Sequence, residues 1–183
     1  MKRTEPPAFE INRLKTPIGV ALTATDDRGR LWVFDWEDQA ERMQRGLDRL
    51  YGKGKLDLVA GRRPSAEARL VLDRINSFFA GELAAIDAIP VESAGTPFQR
   101  ACWAALRKIP AGKTVTYTEL ARRAGRPEAI RAAGAANGLN PISVVVPCHR
   151  VVGADGSLTG YGGGLARKEW LLRHEGARIL RAA

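Results

Sequence analysis

Residues 117–137, YTELARRAGRPEAIRAAGAAN, predict two short helices joined by a glycine. We expect the first helix to end at Gly125 and the second to begin at Pro127, because glycine ends helices and proline suits their first turn. Helix pairs of this kind occur in helix-turn-helix proteins, although many others have no role on DNA. The pair is basic, and Arg131 is the only long side chain within residues 131–136. The stretch therefore predicts a thin, basic helix that can approach a partner closely.

The chain continues through an apolar run and a cysteine, VVVPCHRVV at residues 144–152. Residues 142–146 predict a short buried strand that Pro147 stops, which would place Cys148 at the end of a strand. Because neighbours on an extended chain point to opposite sides, we expect a water to bridge the Cys148 thiol and the His149 imidazole. The residues alone leave four roles open for the thiol: core packing, metal ligand, redox switch and nucleophile.

The two cysteines are too few for a disulfide framework, which fits a reducing compartment. Cys102 lies on the apolar face of a helix that Thr96 and Pro97 should start, so we expect it in the core. The cysteines and the two histidines lack the paired spacing of a structural zinc site, and no metal is expected. If Cys148 is a nucleophile, Glu175 is the carboxylate best suited to orient its base.

The N-terminal half predicts a hairpin and two helices. Alternating apolar residues from Ile18, a turn at 26–29 and a returning strand at 31–36 indicate the hairpin. Helices are expected at about 38–51 and from Ser65 to Gly81, with a loop between them at 52–61. We place a domain boundary in the segment PVESAG, giving domains 1–92 and 93–183. The expected fold class is α+β, with a ribonuclease H-like α/β domain before a mainly helical domain.

The net charge of +9 is confined to one half of the chain. Residues 1–95 carry 15 Lys+Arg and 15 Asp+Glu, whereas residues 96–183 carry 14 and 5. A one-sided excess of this kind is what binding to a phosphate backbone requires, although a solubilising surface explains it equally well. No apolar run approaches the ~18 residues that span a bilayer, so we expect a cytoplasmic protein without a membrane partner.

The segment Pro147-Cys-His-Arg-Val151 resembles the active-site signature of the O6-alkylguanine-DNA alkyltransferases, which repair DNA directly. The resemblance covers residues 95–176 in order, and the N-terminal half is more loosely similar to the bacterial, constitutively made members. The other matching segments are Gly95–Phe98, Thr114–Tyr117, Ala129–Gly134, Asn140-Pro141, Gly160-Tyr161 and Lys168–Gly176.

The resemblance implies that Cys148 is the nucleophile and accepts an alkyl group from O6-alkylguanine in duplex DNA. A relay from Cys148 through water to His149 and Glu175 would remove the thiol proton. Tyr117 would donate to the guanine ring nitrogen as the base leaves. The thioether product is not cleaved, so each molecule would act once, without a cofactor.

For DNA binding, the resemblance implies that the target base is flipped out of the stack and that Arg131 fills the vacated space. The second helix would lie in the minor groove, which suits a protein indifferent to sequence. The further residues expected to contact DNA are Tyr117, Thr118, Arg126, Ala132 and Gly134. The residues expected to shape or support the base pocket are Asn137, Asn140, Val151, Tyr161 and Gly162, with the carbonyls of Cys148 and Val151 accepting from the guanine amino group.

Two departures from the family pattern bear on this pocket. Gly162 replaces a serine of many relatives but keeps the backbone donor, and Asn137 replaces an apolar residue of some relatives. The expected partner is damaged double-stranded DNA and the expected state a monomer, with clustering on DNA and activity on O4-alkylthymine left open. The alternatives are a lesion-binding protein without chemistry, against which the presence of Cys148 argues, and a cysteine hydrolase, which leaves the basic half unexplained.

Overall fold

The computed structural model describes residues 9–54 and 63–179. The chain folds into two compact units, Met1–Ala94 and Gly95–Ala183. Both contain helices and strands, so the predicted α+β class is confirmed. Within the described ranges, no helix is long and apolar enough to cross a membrane.

The first unit contains an antiparallel sheet of three strands, in the order β1 (Glu10–Thr16), β2 (Gly19–Thr25) and β3 (Leu31–Trp36). The predicted hairpin is β2 and β3, whereas β1 was not predicted. Asp26 stabilises the turn between β2 and β3, because its carboxylate accepts hydrogen bonds from the backbone N–H groups of Arg28 and Arg30. Its second oxygen accepts from the Trp32 indole at 2.9 Å.

Two helices accompany this sheet, α1 (Ala40–Tyr51) and α2 (Ala66–Phe79), close to their predicted positions. The Ser65 side chain caps α2 by accepting from the Ala68 N–H, as the sequence predicted. Residues 55–62, most of the predicted loop, lie outside the described residues. One face of α1 packs on the sheet, and the apolar cluster there consists of Ile11, Leu22, Ala24, Val33, Met43, Leu47 and Tyr51.

The second unit is mainly helical. Helix α3 (Pro97–Arg107) begins with a capping box between Thr96 and Gln99, and its residue Cys102 is fully buried. Two short parallel strands follow, β4 (Val115–Thr116) and β5 (Val151–Val152). The remaining helices are α4 (Tyr117–Arg123), α5 (Ile130–Gly138) and α6 (Leu165–His174).

Two local predictions are wrong. Helix α5 begins at Ile130, not at Pro127, because residues 124–129 form a turn in which the Ala129 N–H donates to the Arg126 carbonyl. Residues 142–146 form a buried turn and not a strand, and Cys148 lies in a 3-10 turn, Cys148–Arg150.

The side chain of Asn140 explains the turn at 142–146. Its amide oxygen accepts from the Ile142 N–H at 3.0 Å, and its nitrogen donates to the Val146 carbonyl at 2.7 Å. These bonds satisfy backbone groups that a strand would pair with a neighbour. Val144 adopts a φ of 68°, which a β-branched residue rarely does, so this turn is held by its surroundings.

We expect Gly112→Ala to destabilise the second unit more than Gly125→Ala. Both glycines have a left-handed φ, but a Cβ at Gly112 would lie 2.9 Å from the Glu175 carbonyl oxygen, whereas nothing lies within 4 Å of one at Gly125. Both variants lose about 1–2 kcal/mol to backbone strain, and Gly112→Ala loses about 1–3 kcal/mol more through the clash. Urea unfolding measures the difference. Equal losses of unfolding free energy in the two variants would show that the backbone near Gly112 moves to make room for the added methyl group.

Candidate active site

A cavity of about 250 Å³ lies in the second unit, on the side of the 3-10 turn that carries Cys148. Its size suits a single base better than a drug-sized ligand, whose pockets span roughly 300–1,000 Å³. Six of its residues are ones that the sequence placed in the site. The lining residues are Tyr117, Gly134, Asn137, Gly138, Cys148, Gly160, Tyr161 and Gly162.

Cys148 is 4% exposed and lines this cavity. The Cys148 N–H donates to the Val146 carbonyl at 2.8 Å, which joins the 3-10 turn to the turn held by Asn140. Backbone hydrogen bonds in both turns therefore fix the position of the thiol. Cys102, the other thiol, is in the core, as predicted.

Glu175 binds both His149 and Arg150. The distance from His149 Nε2 to Glu175 Oε1 is 2.9 Å, and Arg150 makes a bidentate pair with the same carboxylate at 2.8 and 2.9 Å. Arg150 also donates to the Ile109 carbonyl. With its ion pair to Glu175, this bond gives Arg150 a structural role. All three side chains are buried. The structure therefore brings the predicted base and its predicted orienting group into direct contact.

The electrostatics of this cluster fix the protonation of His149. Burial lowers the pKa of His149, so the ring is neutral at pH 7. Burial alone would raise the pKa of Glu175, but its bonds to His149 and the charge of Arg150 hold that pKa at about 2. A carboxylate only accepts, so Nε2 carries the proton and Nδ1 keeps its lone pair. Among the described residues, Nδ1 has no hydrogen-bond partner, and it is the free basic atom of the site.

Lys168 is a site residue that the sequence analysis missed. It is fully buried, and its ammonium donates to the carbonyls of Val151 at 2.6 Å and Thr159 at 2.5 Å. Burial lowers the pKa of Lys168 to about 8, although a negative charge on Cys148 acts in the opposite direction. At pH 7 the lysine is therefore still mostly charged and can stabilise a thiolate.

Helical periodicity could have revealed Lys168. Lys168, Leu171, Leu172 and Glu175 stand at positions i, i+3, i+4 and i+7, which share one face of a helix. The two leucines mark that face as buried, and both are fully buried in the structure. A lysine and a glutamate on a buried face require partners, which is the signal of a functional cluster.

Asn137 lies in the last turns of α5, is 4% exposed and lines the cavity. Its side-chain nitrogen donates to the Cys148 carbonyl at 3.4 Å. Asn140 supports the neighbouring turn and does not line the cavity. Val151 is buried and does not line the cavity, and its carbonyl accepts from Lys168.

The residues expected to bind DNA differ in exposure. Thr118, Arg126, Arg131 and Ala132 are exposed, whereas Tyr117 and Gly134 are half-buried at the cavity. Arg126 packs over the Phe98 ring, 5.6 Å from its centre. The alanines at 133 and 136 of α5 face inward, which leaves a thin exposed edge around Arg131.

Comparisons with known proteins show the family of this chain. Residues 97–177 match the family model of the 6-O-methylguanine DNA methyltransferase DNA binding domain. The methylated-DNA–protein-cysteine methyltransferase of Shigella flexneri is 47% identical over 92% of this chain and 96% of its own. That of Methanosarcina acetivorans is 40% identical over 89% and 96%.

Solved structures give the same result. The crystal structure of Mycobacterium tuberculosis OGT in complex with DNA superposes with a TM-score of 0.74 at 36% identity, covering 91% of this chain and 92% of that one. A second structure, M. tuberculosis O6-methylguanine methyltransferase, has a TM-score of 0.71 at 34% identity, with coverages of 96% and 97%. The fold and these relatives define a class of methyltransferases whose acceptor is a protein cysteine. This chain belongs to the methylated-DNA–protein-cysteine methyltransferase family.

We expect Lys168→Met to move the alkylation of Cys148 by iodoacetamide to higher pH, because the thiolate loses a neighbouring positive charge. A nearby opposite charge shifts the pH at which half of a group is ionised by about one to three pH units. The rate would be measured against pH in a Cys102→Ala background, so that only Cys148 reacts. Lys113→Met, an exposed substitution, is the control. An unchanged midpoint would show that Lys168 only supports the backbone.

Proposed function

We propose that this protein repairs alkylated DNA by transferring the alkyl group of O6-alkylguanine irreversibly to Cys148. The observation that carries the proposal is a thiol in a base-sized cavity, next to a buried, neutral His149 whose Nδ1 is free. Glu175 holds the other ring nitrogen at 2.9 Å. Membership of the family named above supports the reaction, and the geometry supports the assignment of the residues.

In the proposed first step, His149 removes the thiol proton through one bridging water. The water accepts the Cys148 proton and passes one of its own to Nδ1, so His149 becomes an imidazolium. Glu175 stabilises this cation through the Nε2–H bond, as the orienting group of a base does. The Lys168 ammonium favours the resulting thiolate, because it is a buried positive charge that acts on Cys148.

The thiolate then attacks the alkyl carbon. A carbon–sulfur bond forms, the bond from that carbon to O6 breaks, and the electron pair moves into the guanine ring. The leaving guanine takes up one proton and His149 gives up the one it removed from the thiol, so the ring is neutral again and the protons balance. Tyr117 lines the cavity, and its hydroxyl lies close to Gly160. A Cβ added to that glycine would be 3.8 Å from the hydroxyl oxygen. From there the hydroxyl would donate to a guanine ring nitrogen as negative charge develops, while the Gly162 N–H would donate towards O6.

The product explains a single turnover. A thioether has no proton to lose and carries no good leaving group, so the neutral His149 cannot reverse the reaction. The added alkyl group also enlarges a side chain that is only 4% exposed. We therefore propose that each chain reacts once and that alkylation destabilises the second unit.

For DNA binding, we propose that α4 and α5 act as a helix-turn-helix, with α5 in the minor groove. The excess positive charge of residues 96–183 supports binding to phosphates. The Glu119 carboxylate accepts hydrogen bonds from Arg122 Nε and Arg123 Nε, each at 2.7 Å. Arg131, by contrast, lies on the thin exposed edge of α5. Arg131 would therefore enter the base stack when the damaged guanine is flipped into the cavity. The DNA backbone nearby would be contacted by Thr118, Arg126, Ala132 and Gly134.

We also propose that the protein works as a monomer in the cytoplasm. The cavity, the relay and the exposed edge of α5 all belong to the unit Gly95–Ala183 of one chain. No second copy is needed to complete the site. In this division of roles, the unit Met1–Ala94 is a scaffold.

The test is peptide mass spectrometry after the protein has been mixed with a duplex containing one O6-methylguanine. We expect one methyl group per chain, on the peptide that contains Cys148. Cys148→Ala should gain none, whereas Cys102→Ala, which changes a core thiol, should still accept one. Tight binding of the damaged duplex without a mass gain would instead identify a lesion-binding protein and would contradict the proposal.

A further inference from the structure

Phe98 ends the segment Gly95–Phe98, but neither the cap of α3 nor the cavity uses its side chain. Thr96 forms the capping box, and Pro97 is the first residue of the helix. Phe98 is half-buried and does not line the cavity. The guanidinium of Arg126 lies over its ring, 5.6 Å from the ring centre. This contact joins α3 to the turn between α4 and α5.

The arginines of α4 and of the turn that follows have different partners. Arg122 and Arg123 share the carboxylate of Glu119 at 2.7 Å, which offsets part of their charge and occupies several of their donors. Arg126 is exposed, and among the residues that the structure describes its side chain pairs with no carboxylate and donates to no carbonyl. An aromatic ring attracts a cation through its face without supplying an acceptor oxygen. Arg126 therefore has its charge and its donors available for another partner, while the ring restricts where the guanidinium lies.

A guanidinium in this state suits a phosphate. Its N–H donors form a planar fork that matches two phosphate oxygens, and binding of the cation releases a counterion from DNA. Arginine has many rotamers, so a contact that exists before binding reduces the entropy that is lost on binding. Arg126 lies in the turn that leads into α5, the helix that carries Arg131. The phosphate would therefore belong to the duplex that α5 contacts.

We propose that Phe98 is a positioning residue that holds the Arg126 guanidinium in place for a phosphate of duplex DNA. This inference rests on the proposed function and adds to it a contact outside the base cavity that is independent of sequence. Phe98 acts only through Arg126. Loss of the aromatic ring therefore matters only while the arginine is present, which is a coupling that a double-mutant cycle measures.

The experiment measures the equilibrium binding of an undamaged duplex at several salt concentrations. The cycle consists of Phe98→Leu, Arg126→Gln and the two combined, and Phe98→Tyr is the conservative variant that keeps an aromatic face. Arg69→Gln removes the same charge from an exposed position on α2 and is the matched control. Urea unfolding shows that each variant is folded, and Phe98→Met takes the place of Phe98→Leu if that variant does not fold.

Arg126→Gln should weaken binding and lower the slope of log Kd against log salt concentration by about 0.9, the effect of one phosphate contact. Arg69→Gln should leave this slope unchanged. Phe98→Leu should weaken binding by roughly twofold to fivefold, the strength of a cation–π contact at an exposed site, whereas Phe98→Tyr should not. In the Arg126→Gln background, the effect of Phe98→Leu should disappear.

Equal losses of affinity from Phe98→Leu in both backgrounds would overturn the inference, because Phe98 would then act on the packing of α3. Equal losses from Phe98→Leu and Phe98→Tyr would also overturn it, as would a slope that falls equally in Arg126→Gln and Arg69→Gln. These results would leave the proposed function standing, since methyl transfer from O6-methylguanine tests it separately. If the unmodified protein binds no duplex at any salt concentration, the proposed function itself is wrong.

Discussion

The buried carboxylate of Glu175 is the group on which the rest of this site depends. It accepts from His149 Nε2 and from both ends of the Arg150 guanidinium, and Arg150 extends the network to the Ile109 carbonyl after α3. One carboxylate thus joins the end of α6 to the 3-10 turn that carries Cys148. Removing one partner of a buried ion pair leaves an uncompensated charge, which costs about 3–5 kcal/mol. The same contact that holds these elements together also sets the tautomer of the base.

The buried face of α6 and its C-terminal cap carry two charged residues, Lys168 and Glu175. Glu175 acts through His149, and Lys168, two turns earlier on the same face, places an ammonium close enough to favour a thiolate. The lysine is satisfied by two carbonyls and the glutamate by two side chains, so neither charge is buried alone. One helix can therefore carry two buried charges on one face when each is paired with neighbouring groups.

Much of this arrangement could be predicted from the sequence, because strong local signals determine it. The hairpin, the caps at Ser65 and Thr96, and the association of His149 with Glu175 all follow from local pattern or from chemistry. The turn at 142–146 could not be predicted, because a run of β-branched residues favours a strand until the side chain of Asn140 bonds its backbone.

Other features depend on neighbours that a sequence does not display. The start of α5 at Ile130 is set by the turn that precedes it, and β1 pairs with β2 along its whole length although its own sequence gave no clear signal. Lys168 was missed because lysine is ordinarily taken as a surface residue, and only its register with Leu171 and Leu172 shows that it is buried.

The central claim is that burial keeps His149 neutral, while Glu175 holds its proton on Nε2 and leaves a free lone pair on Nδ1. Nitrogen-15 NMR of the imidazole rings tests this claim most directly, and His174→Gln assigns the signals because the chain has only two histidines. At pH 7 the account predicts a neutral His149 ring protonated at Nε2, which titrates below the ordinary histidine pKa. A proton on Nδ1, or a His149 imidazolium at neutral pH, would contradict it.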